Sequence, residues 1–88
     1  MKCYRSNENL FLFNKLIERL LSLDIQGYLK KFPDIPEGHK VVCWHKDVTE
    51  ERLYVCETLE DMKNIYDKFI SGEGISIGWH HIPEKLLP

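Results

Sequence analysis

Two alternating stretches, KVVCWHKD and RLYVCET, flank the four residues VTEE near the middle of the chain. They are rich in β-branched and aromatic side chains, which suit a pleated, half-buried surface. Two such runs around a short polar connector read as a β-hairpin. With Val48 to Glu51 as the loop, Asp47 faces Arg52, His45 faces Tyr54, and Cys43 faces Cys56. One face then carries Val42, Trp44, Leu53 and Val55, a good core face. The other carries Val41, Cys43, His45, Asp47, Arg52, Tyr54 and Cys56, neither plainly dry nor plainly wet. Side chains alternate with a period of two, so a slip of one residue would exchange the faces.

Helical patterns lie on both sides of this hairpin. From Leu10 to Leu23, nine of fourteen residues are large and apolar. At about 100° per residue they cover roughly half of a helix circumference. Phe11 alone falls among the polar residues. So wide an arc implies a helix wedged between two elements or shared with another chain. Asp24 then reads as the cap of a short second helix carrying Ile25, Tyr28, Leu29 and Phe32, stopped by Pro33. Beyond the hairpin, Thr58 and Asp61 form a capping-box-like start to a helix ending near Ser71 and Gly72. Leu59, Met62, Ile65, Tyr66, Phe69 and Ile70 form its apolar stripe. The segment ISIGWHHI alternates again, placing Ile75, Ile77, Trp79 and His81 on one face and Ser76, Gly78, His80 and Ile82 on the other. Pro83 ends it, and EKLLP reads as a loosely held tail.

The expected fold is therefore α+β: two N-terminal helices, then β-hairpin, helix and β-strand (ααββαβ). Its three-stranded mixed sheet packs on helices, with the Thr58–Ser71 helix on the apolar face. A right-handed crossover sets the last strand parallel to the second hairpin strand and beside the first. The 88 residues make a single small domain, residues 1–88.

Composition narrows function by exclusion. A net charge of −2 without a basic cluster argues against a nucleic-acid partner, which needs several phosphates neutralised. No apolar run reaches the roughly 18 residues of a membrane span. The opening MKCYRSNENLFLF lacks the pattern of a signal peptide. Cys3, Cys43 and Cys56 are an odd number without paired spacing, as suits reduced thiols in a cytoplasm. Alanine is absent, and nine Lys against three Arg with eight Ile suggest an AT-rich coding sequence.

No cofactor motif is present. His39, Cys43, His45, Cys56, His80 and His81 include good zinc ligands, but none has the close ligand spacing of a structural site, and no metal is expected. Cys43, His45 and Asp47 share a strand face, yet same-face neighbours sit about 6.5–7 Å apart, too far for a nucleophile and its base. A Cys-dependent enzyme centred on Cys56 or Cys43 is thus the least favoured reading. A nucleotide or other small ligand could be held on the outer sheet face by His45, Arg52, Tyr54 and His80, through stacking and charge-assisted hydrogen bonds. The leading expectation is a small non-enzymatic protein-binding or inhibitory accessory protein, of the kind phages and mobile elements encode. It would act as a homo-oligomer or on a protein partner, through Tyr4, Arg5, Phe11 and Leu12.

Overall fold

The computed structural model describes residues 2–23, 31–71 and 75–88. The elements are β1 (Lys2–Arg5), α1 (Leu10–Leu21), β2 (His39–Lys46), β3 (Glu51–Cys56), α2 (Leu59–Ile70), β4 (Ile75–Pro83) and a 3-10 turn at Glu84–Leu86. Residues 24–30 of the short helix expected from Asp24, and the Gly72 stop, lie outside the described residues; Phe32, placed on that helix, is described in irregular chain and packs against Tyr66 and Trp79. This is an α+β fold, but its sheet has four strands in the order β1-β3-β2-β4, and every neighbouring pair is antiparallel. The expected three-stranded mixed sheet is corrected on both counts. β4 does lie beside β2 and runs in the direction of β3, but β2 separates the two, so no parallel pair forms. β1 is only four residues long, too short for its alternation to stand out from a polar N-terminal segment.

The strand order decides where the helices go. Each crossover skips one strand: α1 carries the chain from β1 past β3 to β2, and α2 from β3 past β2 to β4. Both step the same way across the sheet, from strands of opposite direction. Two crossovers of one hand then place their helices on opposite faces. Phe13, Leu16, Ile17 and Leu20 of α1 pack on Val42, Leu53, Val55 and Ile82. Met62 and Ile65 of α2 pack on the reverse face, with Val41, Cys43, Tyr54, Cys56 and Trp79. The Val42/Leu53/Val55 face is therefore covered by α1, not by the Thr58–Ser71 helix, and the mixed face is a second core.

Local chemistry fixes each boundary. Asn9 Oδ1 accepts from the Leu12 amide at 3.0 Å and caps α1. Thr58 Oγ1 accepts from the Asp61 amide at 3.2 Å, while Asp61 Oδ2 accepts from the Glu57 amide at 3.0 Å, a reciprocal cap one residue wider than the usual box. The hairpin register pairs His45 with Arg52, Cys43 with Tyr54 and Val41 with Cys56, two residues from the sequence expectation. An even shift leaves each residue on its expected face. Its cause is Asp47, which leaves the ladder to build the turn. Asp47 Oδ1 accepts from the Thr49 amide (2.8 Å), the Thr49 hydroxyl (2.8 Å) and the Glu50 amide (2.9 Å).

In β4 the alternation breaks. Cys43 pairs with Trp79 and His45 with Ser76, so Ile77 and Gly78 together oppose Trp44 in a β-bulge. Gly78 has φ of 130°, a conformation that side chains resist. The extra residue puts Ser76 on the face of His45 and Trp79, while His80, opposite Val42, lies on the α1 face. The C-terminal residues are held, not loose. Leu86 and Leu87 pack against the α1 core, the Arg19 guanidinium donates to the Leu86 carbonyl, and the Tyr4 hydroxyl donates to the Pro88 carbonyl at 3.1 Å. That second contact surface accounts for much of the wide apolar arc of α1.

Candidate functional site

Arg5, Arg52, His45 and Ser76 form one row of directly opposed residues across all four strands. Two guanidiniums side by side repel unless an anion lies between them. Glu50 supplies it: its Oε1 accepts from Arg5 Nε at 2.6 Å and from Arg52 Nε at 2.8 Å. Arg52 also donates to the Tyr54 hydroxyl at 3.2 Å and pairs with Asp47 Oδ2 at 3.3 Å. The His45 ring meets the Tyr54 ring edge-on at 5.8 Å, and His45 Nδ1 lies 2.8 Å from the Ser76 hydroxyl.

The electrostatics follow from these contacts. The Glu50 carboxyl is held below its usual range, first by the hydrogen bond from Arg52 and then by that from Arg5. Asp47 is lowered to about 2, chiefly by the Glu50 amide, then by the hydroxyl and amide of Thr49. The Arg52 guanidinium is held still more firmly protonated by its bond to Glu50. All three side-chain nitrogens of Arg52 are engaged by Glu50, Tyr54 and Asp47, and His45 is buried. The row is closed on itself by its own opposite charges.

Three of the four residues expected to bind a ligand, His45, Arg52 and Tyr54, therefore do come together. His80 does not join them, because the bulge and the β2 pairing turn it to the opposite face. Cys3, Cys43 and Cys56 share the α2 face with Tyr54. Burial pushes the Cys43 thiol up to about 11 and the Cys56 thiol up to about 12, so both stay protonated at neutral pH. A thiol is a far weaker nucleophile than a thiolate. Among the described residues no group of three or more His, Cys, Asp or Glu side chains is placed to hold a metal ion.

The residues expected at an interface separate as well. Tyr4 and Leu12 are half-buried against the α1 core, and Arg5 is tied to Glu50. Phe11 is 75% exposed, its ring 5.5 Å from Lys15 Nζ. Sequence reasoning missed Leu10 and Leu21, which are 59% and 67% exposed. They sit at the margin of the apolar arc, where a helical wheel alone assigns them to the core. No helix among the described residues is long and apolar enough to cross a membrane. Comparison with protein-family models, curated proteins and solved structures finds no match to the chain.

Proposed function

We propose that this chain is a protein-binding module of the accessory or inhibitory kind, which works by covering a surface rather than by chemistry. The observation that carries the reading is the exposure of Leu10, Phe11 and Leu21 on a helix whose core face is already filled by Phe13, Leu16 and Leu20. Exposed large apolar side chains gathered on one element usually serve contact. The polar row supports the same reading, since its charges are spent on one another.

Affinity capture from cells that natively carry the protein tests this, with wild type and a Phe11→Asp, Leu21→Asp variant compared side by side. Wild type should retain a protein stoichiometrically, and the variant, with unchanged circular dichroism, should lose it. Equal capture by both forms would contradict it.

A further inference from the structure

Leu10, Asn14, Ile17 and Leu21 follow one another at spacings of four, three and four residues along α1. That is the spacing of a coiled-coil seam, with a polar residue in one central layer. At 3.6 residues per turn the four fall within an arc of about 60°. The opposite flank of α1 is already engaged: Leu12 is half-buried against the core, and Arg19 holds the C-terminal turn at Leu86. The seam lies on the other side, where Leu10, Asn14 and Leu21 are exposed and only Ile17 is buried.

Resting on the reading of α1 as a contact surface, we infer that its occupant is α1 of a second copy, antiparallel about a two-fold axis. Self-complementarity argues for a copy of the same chain. Antiparallel pairing brings Leu10 onto Leu21 and Asn14 onto Ile17, each contact occurring twice, and no seam residue is charged. The flanks of the seam decide the direction. One flank holds Phe13 and Leu20, already covered by the sheet; the other holds Phe11 and Glu18, with Glu18 exposed. In a parallel pair the free flank of one helix meets the covered flank of the other, where the sheet bars approach. In the antiparallel pair free flank meets free flank on one side of the seam, and the two covered flanks, each over its own sheet, lie side by side on the other. Glu18 of one copy then lies beside Phe11 of the other, whose ring carries the Lys15 ammonium, so opposite charges adjoin. A twelve-residue helix gives a small interface, so dissociation on the order of 10 µM is expected.

Charge exchange across the seam tests the inference by size-exclusion chromatography with light scattering. Wild type forms a dimer as concentration rises. Leu10→Asp and Leu21→Lys each weaken it at least about tenfold, since each buries an unpaired charge in the contact. The Leu10→Asp, Leu21→Lys double variant restores the dimer, because antiparallel pairing sets carboxylate against ammonium. All these positions are exposed, and circular dichroism verifies that each variant folds. A wild type that stays monomeric overturns the inference, as does a double variant no better than its parents. If wild type is monomeric while Phe11→Asp, Leu21→Asp still abolishes capture of a cellular protein, only the second copy is wrong. If that variant captures equally, the contact reading itself fails.

Discussion

Arg5 and Arg52 stand directly opposite each other on β1 and β3, and a single oxygen of Glu50 accepts a hydrogen bond from both. The edge strand β1 is thereby tied to the hairpin at its turn end, where a like-charge pair would otherwise push it away. Replacing Glu50 with Gln should lower the melting temperature more than replacing the exposed Glu8, which only grazes Arg5 at 4.0 Å. Thermal unfolding of the two variants checks the order; equal effects would show that Glu50 is not the clamp.

Acid should loosen the same end of the sheet. The folded-state values of Asp47 and Glu50 are depressed, Asp47 to about 2. Depressed carboxylates contribute stability that is fully present above their unfolded values and lost as pH falls through the folded ones. The melting temperature should therefore decline from about pH 4 towards pH 2. Asp47→Asn should flatten that decline, because its contribution no longer titrates.

The thiols behave in the opposite sense. Cys43 and Cys56 carry raised values, so the unfolded chain releases their protons first and stability should fall as pH rises past about 9. In the native protein at pH 8, a thiol reagent should modify the half-buried Cys3 first. Cys43 and Cys56 should react only as fast as the protein opens. Rapid modification of all three would contradict the burial of this core.

Side chains in the α1 core and on its free surface should separate cleanly on substitution. Leu16 is fully buried, and Leu16→Ala should cost roughly 2–5 kcal/mol in chemical denaturation. Phe11→Ala removes a mostly exposed ring and should stay within about 0.5 kcal/mol. Gly78→Ala, forced into a positive φ, should cost on the order of 1–3 kcal/mol despite adding only a methyl group.

Much of this fold is legible in the sequence where parity or capping decides it. The hairpin faces survive a two-residue misjudgement of register because side chains alternate, and Thr58 with Asp61 marks the start of α2 by its own hydrogen bonds. What escapes notice depends on distant partners. The face each helix takes follows from the placement of β4 beside β2, which no local pattern states. The bulge shows in sequence only as Gly78, yet it sets His80 on the face opposite His45, Arg52 and Tyr54. Leu10 and Leu21 look like core until the sheet and the C-terminal turn have claimed the rest of α1.

Sedimentation equilibrium of the wild-type chain across a concentration series decides whether α1 is a working surface completed by a second copy. The wild-type mass should climb from 10.5 kDa towards twice that value, while a Leu10→Asp variant should remain at the lower figure. A wild-type mass fixed at 10.5 kDa up to the highest concentration reached would contradict it.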